Sequence, residues 1–268
     1  MIIIQGIIAG LFAGFICGLF GMGGGSLLVP VIVHIFDLPI KTAIGTSLFI
    51  IVFSAFSALF KYTKSQKIDK QLLFLIVPAG IAGAQAGALL TSRLPEVAVK
   101  YIFVILVASL GLKMLFHPEN KPEDEAKPTE NLTAKALAIG LFAGFISGLC
   151  GVGGAVLIIP LMYIFLKVPI HTCIGTSLVA ILFNSLSGSA GYIARGLVDM
   201  RTGLVLAIGS TLGAPLGAKI SINISREKLR RAFAIILILS SLSVLLKFEN
   251  EPSPEDLPEP ETEIAHHL

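Results

Sequence analysis

Six long stretches of this chain contain no Asp, Glu, Lys or Arg, and they limit the possible folds more than any other feature. They are residues 1–33, 42–60, 71–92, 136–166, 172–194 and 202–218. A helix needs about 20 apolar residues to cross the hydrocarbon core of a bilayer, so most of these stretches can span it. Residues 97–116 and 229–246 reach that length if their lysines and arginines extend to the interface.

The composition supports a membrane protein. Hydrophobic residues make up 54% of the chain and charged residues 14%, and the mean hydropathy is +0.88. Because the alternating pattern of a transmembrane barrel is absent, we predict an all-α integral membrane protein. The net charge is only +3, and no cluster of basic residues is interleaved with aromatic residues, so we expect no nucleic acid as a partner. The expected partner is the lipid bilayer. The oligomeric state stays open, a homo-oligomer included.

The chain contains the same unit twice. At an offset of about 130 residues, positions 10–49 align without a gap with positions 140–179, and roughly half of them are identical. GLFAGFICGLFGMGG corresponds to GLFAGFISGLCGVGG, and LPIKTAIGTSL corresponds to VPIHTCIGTSL. We predict two homologous halves, 1–116 and 134–247, each with about four hydrophobic helical segments. A polar linker, 117–133, joins them, and the acidic tail, 248–268, has too little apolar surface to fold.

Glycines interrupt the first segment of each half. GMGGGS at 21–26 and GVGGAV at 151–156 are unfavourable in a continuous helix and favour a break. The apolar run from 6 to 36 is too long for one crossing, while 26–36 is too short to cross alone. A re-entrant hairpin or a broken helix would resolve this misfit. The glycines at 10, 14, 18, 140, 144 and 148 are instead spaced for helix packing.

The relative orientation of the halves depends on how the broken segment is counted. If it crosses once, the halves are parallel and Lys and Arg divide about 11 to 9 between the two sides. If its ends return to the same side, the halves are inverted and the division is about 14 to 6. We therefore predict inverted repeats, with residues 61–70, the linker, Lys167 and residues 219–231 in the cytoplasm.

Inverted repeats that are discontinuous at the same place are typical of transporters with a binding site near the membrane midplane. A helix that starts inside the bilayer presents unpaired N–H groups, and glycine allows close approach, so such a site favours an anion. The candidate backbone donors are Gly23, Gly24, Gly25, Ser26, Gly153, Gly154 and Ala155. The candidate side chains are the hydroxyls of Thr46, Ser47, Thr176 and Ser177 and the amides of Gln85 and Asn184.

Several of these residues have structural alternatives. Ser and Thr in membrane helices often bond their own helix carbonyls, and buried amides can bridge helices. Asp69 and Asp199 fall in loops and are predicted to cap helices. The chain has no nucleotide-binding glycine pattern and no deep cluster of metal ligands. We therefore expect neither an enzyme nor a protein with a metal or other cofactor.

The duplicated pattern resembles the TauE/SafE family of sulfite and organosulfonate exporters. GFICGLFGMGGGSLLVP with AIGTSL, repeated as GFISGLCGVGGAVLIIP with CIGTSL, carries the resemblance, which extends nearly to Lys247. It implies a multi-pass permease of the prokaryotic inner membrane that moves small sulfur oxyanions or organosulfonates outward without ATP. The residues alone predict a secondary anion carrier, and only the resemblance implies sulfite or sulfonate.

Two observations qualify this interpretation. Ala155 and Val156 stand where the first copy has Gly25 and Ser26, so we expect the two half-sites to contribute unequally. A membrane scaffold without transport activity and an anion channel stay open as alternatives, because glycines could serve helix packing alone.

Overall fold

The computed structural model describes residues 2–21, 25–64, 68–90, 96–116, 131–151 and 153–249. Within these residues the chain forms ten α-helices and no strand, which confirms the predicted all-α fold. The first half contains α1 (Ile2–Phe20), α2 (Gly25–Ile35), α3 (Ile40–Lys64), α4 (Lys70–Leu90) and α5 (Glu96–Phe116). The second contains α6 (Leu132–Cys150), α7 (Ala155–Phe165), α8 (Ile170–Ile193), α9 (Met200–Asn223) and α10 (Arg226–Glu249).

Each half begins with the predicted broken segment, α1 with α2 and α6 with α7, and continues with three helices. In the part of the chain that the structure describes, six helices are long and apolar enough to cross a bilayer, namely α1, α3, α4, α6, α8 and α9. Helices α5 and α10 cover the two further predicted stretches. The predicted linker and tail lie outside the described residues except at their edges, where α6 begins at Leu132 and α10 ends at Glu249.

The outer face of α9 is apolar. Its exposed stripe, with side chains between 53% and 60% exposed, consists of Leu204, Ile208, Leu212 and Leu216. These residues are four positions apart and therefore share one face of the helix. A continuous apolar stripe of this kind suits contact with lipid hydrocarbon.

The predicted glycine ladders pack α1 against α9 and α6 against α4. A Cβ added at any of the six glycines would overlap a backbone carbonyl oxygen of the partner helix. The contacts are Gly10 with Leu206, Gly14 with Ser210 and Gly18 with Ala214, and Gly140 with Ile76, Gly144 with Gly80 and Gly148 with Ala84. The first helix of each half therefore packs on the fourth helix of the other half, and the two halves interlock.

The same contacts give the helix directions. Because residue numbers rise together along both partners, α1 runs parallel to α9, and α6 runs parallel to α4. Helix α9 also runs parallel to α3. The Asp199 N–H at the start of α9 donates to Thr46 Oγ1 at 2.9 Å, and further along both helices Ser57 Oγ donates to Thr211 O at 2.7 Å. Helices α1, α3 and α9 therefore run in one direction.

Helix α8 runs parallel to α4. The Asp69 N–H donates to Thr176 Oγ1 at 3.0 Å near the start of both helices, and further along Gln85 Nε2 donates to Ser187 O at 2.6 Å. Helices α4, α6 and α8 thus share one direction.

Helices α3 and α8 contact each other and run antiparallel. Gly45, near the start of α3, lies against Tyr192, near the end of α8, and Gly188 lies against Leu48. The six long helices therefore form two sets of three that run in opposite directions.

Both loop aspartates cap helices, as predicted. Asp199 Oδ1 accepts a hydrogen bond from the Thr202 N–H at 2.7 Å at the start of α9. Asp69 Oδ1 accepts one from the Leu72 N–H at 3.0 Å at the start of α4. Each carboxylate satisfies a backbone donor that the helix itself leaves unpaired.

Candidate substrate site

The chain turns back between α6 and α7 through glycines in the left-handed conformation. Gly151 ends α6 with φ 70°, and its N–H donates to Ser147 O at 2.9 Å. Gly153 and Gly154 follow with φ of 78° and 77°. Residues with a Cβ rarely adopt this conformation, so glycine allows the turn without strain.

This break lies in the centre of the bundle. A Cβ added at Gly153 would lie 3.2 Å from Ile181 Cγ2 and 3.3 Å from Ile51 Cδ1. These isoleucines are close to the midpoints of α8 and α3, the antiparallel pair described above. Helix α7 therefore begins about halfway along the long helices.

The start of α7 presents backbone N–H groups at this depth. Gly154 is the N-cap and makes no side-chain capping bond, and its carbonyl oxygen accepts from Leu157 N at 3.1 Å and Ile158 N at 3.0 Å. The N–H groups of Ala155 and Val156 precede these bonds and have no acceptor within the helix. Together with the helix dipole they make this end of α7 electropositive.

In the first half, the end of α1 resembles the end of α6. Gly21 has φ 66°, and its N–H donates to Cys17 O at 2.7 Å. The Gly151 N–H makes the equivalent bond to Ser147 O at the end of α6. Helix α2 begins at Gly25, so the predicted residues Gly25 and Ser26 form its first turn. The predicted residues Gly23 and Gly24 lie outside the described residues.

The serines of the two I-G-T-S segments contact the breaks of the opposite half. Ser47 Oγ lies 2.8 Å from Gly151 O, and Ser177 Oγ lies 3.4 Å from Gly21 O. Each hydroxyl can alternatively donate to a carbonyl oxygen of its own helix. These serines hold the ends of α1 and α6 against the central helices.

The threonines of the same segments join the halves in a second way. Thr46 and Thr176 accept hydrogen bonds from the N–H groups of Asp199 and Asp69, the two capping residues. All four predicted hydroxyls therefore have protein partners in this structure. Their contact with a substrate stays a prediction.

The two predicted amides have different surroundings. Gln85 Nε2 donates to Ser187 O at 2.6 Å and lies 3.1 Å from Ser187 Oγ, so this amide bridges α4 and α8. Asn184 is 0% exposed, and neither its Oδ1 nor its Nδ2 has a hydrogen-bond partner in the part of the chain that the structure describes. It faces Gly80, where an added Cβ would lie 2.8 Å from Asn184 Nδ2.

Sequence reasoning missed three serines whose buried hydroxyls also have no partner among the described residues. They are Ser147, Ser185 and Ser210. At the repeat offset these positions correspond to Cys17, Ala55 and Gly80, so a comparison of polarity between the two copies could have found them. Ser147 adjoins the break, because a Cβ added at Gly154 would lie 3.1 Å from Ser147 Cβ.

The surroundings of the break contain no formal charge. Residues 42–60, 71–92, 136–166 and 172–194, which include most of α3, α4, α6, α7 and α8, have no Asp, Glu, Lys or Arg. Within the described ranges, no group of three or more His, Cys, Asp or Glu side chains could hold a metal ion. The polar groups that these stretches offer a ligand are backbone dipoles, hydroxyls and amides, beside apolar side chains such as Ile51 and Ile181.

A bundle of helices long and apolar enough to span a membrane, with a glycine break at its centre, is typical of a multi-pass membrane transporter. Comparison with known proteins agrees with this class. The chain belongs to the family described as "Sulfite exporter TauE/SafE", whose profile matches residues 6–244.

Relatives over most of the chain have names that give the class without a substrate. The "Probable membrane transporter protein YunE" of Bacillus subtilis is 30% identical over 255 residues, which cover 87% of this chain and 93% of YunE. The "Probable membrane transporter protein MJ0441" of Methanocaldococcus jannaschii is 28% identical, with 90% of this chain and 94% of that protein covered. No solved structure matches the chain.

Proposed function

We propose that this transporter is a secondary carrier that exports sulfite or small organosulfonates across the cytoplasmic membrane, without catalysis and without a cofactor. The break at Gly153 and Gly154 carries the proposal, because it leaves the first N–H groups of α7 at mid-depth, among sequence stretches that contain no Asp, Glu, Lys or Arg. Such a helix end suits a small anion. The family description names sulfite export, and the sulfur oxyanions belong to the class that the site would accept.

In this proposal the anion lies between the starts of α7 and α2. The backbone groups around Gly153 and Ala155, with their counterparts around Gly23 and Gly25, would donate to its oxygens. The I-G-T-S hydroxyls would hold the two breaks in place, since they contact the turns at Gly151 and Gly21.

Transport would proceed by alternating access of two inverted halves that rock about the central site. The helix directions support the inversion, because α1, α3 and α4 each run opposite to their counterparts α6, α8 and α9. They are also consistent with the predicted cytoplasmic segments sharing one side, since in this arrangement α3, α7 and α9 would end there and α4 and α6 would begin there. The sequence contains no carboxylate inside a long apolar stretch, so the carrier would work as a uniporter or an exchanger driven by gradients.

Matched glycine variants test the position of the site. Gly153→Ala puts a methyl group into the break at φ 78°, whereas Gly196→Ala imposes similar backbone strain at φ 69° with no atom within 4 Å of the new Cβ. We expect saturable uptake of labelled sulfite and ethanesulfonate into proteoliposomes with wild type and Gly196→Ala. In Gly153→Ala the flux should fall about tenfold, because the added methyl group and the strain at this φ would displace the neighbouring N–H donors, and a lost hydrogen bond to a charged group typically costs more than about 1 kcal/mol.

Other outcomes separate the alternatives. Wild-type flux in Gly153→Ala would place the substrate elsewhere. Flux that does not saturate would indicate a channel, and no flux of any small anion under an imposed gradient would favour the scaffold.

A further inference from the structure

The amide of Asn184 on α8 is a buried polar group that the packing of the bundle does not satisfy. This side chain is 0% exposed, and both its donor and its acceptor have no partner among the residues that the structure describes. The same bundle does satisfy another amide, since Gln85 donates to Ser187. A buried unpaired amide lowers stability, so a group of this kind calls for a ligand or another explanation.

Asn184 lies close to the glycine break. On α8 it follows Ile181, which packs on Gly153, by three residues, or about 4.5 Å along the helix axis. Ser147, whose hydroxyl also has no partner among the described residues, lies beside Gly154 on the α6 side. The Asn184 amide faces Gly80 of α4, which packs on Gly144 of α6, while Gly154 lies against Ala143 and Ser147 of α6. The amide, the hydroxyl and the start of α7 therefore lie at a similar depth in the bundle.

The first half has no equivalent of this amide. The counterpart of Asn184 is Ser54, whose Oγ lies 3.3 Å from Ile50 O and 3.2 Å from Ile51 O on its own helix. Ser54 is therefore satisfied locally, and among the described residues an unpaired buried amide occurs in the second half and not at its counterpart in the first.

The chemistry of an amide restricts its ligand. Nδ2 donates and Oδ1 accepts, so a ligand that satisfies both must present an acceptor and a hydrogen-bond donor. The surrounding segments supply no positive side chain. The Born cost of desolvation grows with the square of the charge, so a dianion would cost about four times as much to bury as a monoanion.

We propose that the substrate is a singly charged oxyanion that also carries one O–H group, such as hydrogensulfite or a hydroxyalkylsulfonate. Its anionic oxygens accept from the α7 N–H groups, Ser147 and Asn184 Nδ2, and its O–H donates to Asn184 Oδ1. The fully deprotonated sulfite ion has no hydrogen for Oδ1 and carries twice the charge. This inference rests on the proposed carrier function.

A pair of sulfonates isolates the O–H group. 2-Hydroxyethanesulfonate and ethanesulfonate are both monoanions with the same carbon chain, and each is tested as a competitor of labelled sulfite uptake into proteoliposomes. We expect 2-hydroxyethanesulfonate to compete at a concentration at least about tenfold lower, because a site built for a hydroxyl rejects the analogue that lacks it.

Three variants connect this preference to Asn184. Asn184→Leu should bring the ratio of the two competing concentrations close to one. Gly80→Ala should also reduce this ratio. The new Cβ would overlap the Asn184 amide, which lies at the end of a flexible side chain and would have to move. Ser54→Ala, the matched change in the first half, should keep the wild-type ratio.

The outcomes separate this inference from the carrier function. Equal competition by the two sulfonates, or a preference that survives both Asn184→Leu and Gly80→Ala, would overturn the inference while the carrier stands. If neither anion competes and no labelled anion moves, the carrier proposal fails and the inference fails with it.

Discussion

Replacement of an amide by leucine should change stability in opposite directions at two positions on neighbouring helices, Gln85 on α4 and Asn184 on α8. Gln85 has hydrogen bonds to Ser187, whereas Asn184 has none in the described part of the chain. We expect Asn184→Leu to raise the free energy of unfolding by about 1 kcal/mol, because it removes an unsatisfied buried group. Gln85→Leu should lower it by about 1–2 kcal/mol, because it removes the hydrogen bonds that join α4 to Ser187 of α8.

Thermal unfolding of purified protein in one detergent measures both changes. A higher Tm for Asn184→Leu, together with a lost preference for hydroxylated sulfonates, would indicate that Asn184 serves substrate recognition at the expense of the stability of the wild-type protein. A lower Tm for Asn184→Leu would show that the amide has a structural role, and would contradict the assignment.

The sequence predicted local bonds better than distant ones. The caps at Asp69 and Asp199 follow from the chain a few residues further on, and the structure confirms them. The bond between Thr46 and Asp199 joins residues of different halves, and nothing near either residue indicates the other. An alignment of the two copies identifies equivalent positions, not positions in contact.

At the level of helices, small residues serve two purposes that the sequence distinguishes by spacing. Glycines four apart pack α1 on α9 and α6 on α4, and clustered glycines end α6 and start α7. The spacing could not say which helix each ladder contacts, because many helices carry small residues on one face. The pairing of each first helix with the other half's fourth helix came only from the structure.

The α9 glycines provide a test of this packing. A Cβ at Gly213 would lie 2.8 Å from Phe15 N and overlap Leu11 O, both backbone atoms of α1, whereas a Cβ at Gly203 would lie 3.0 Å from the Phe49 ring. Backbone cannot move aside as a side chain can. We expect Gly213→Ala to destabilise the protein by more than about 2 kcal/mol and Gly203→Ala by less than about 1 kcal/mol.

Unfolding in denaturant, with the yield of folded monodisperse protein as a second readout, compares the two variants. Equal losses would contradict the tight backbone contact between α1 and α9.

At the scale of the whole molecule, the proposed inversion predicts which chain segments share a side of the membrane. If α6 and α7 return to the side where α6 began, then α8 crosses once, and α9 starts on the opposite side. If the pair crossed once instead, α6 and α9 would start on the same side. The fold class was predictable from apolar length, whereas this relation depended on statistical charge bias.

Cysteine labelling distinguishes the two arrangements. Lys135 near the start of α6 and Met200 at the start of α9 are both exposed. In a background with alanine at Cys17, Cys150 and Cys173, we expect Lys135→Cys and Met200→Cys to react with an impermeant maleimide from opposite sides. Labelling of both from one side would contradict inverted halves.

The most direct test of the central claim, that the glycine break is the anion site, is to locate a bound anion. A structure determined with 2-bromoethanesulfonate, using the anomalous signal of bromine and the density of the sulfonate, would show where it binds. We predict a sulfonate oxygen within hydrogen-bond distance of the Ala155 or Val156 N–H, close to Asn184. A sulfonate bound elsewhere, in a protein that transports it, would contradict the claim.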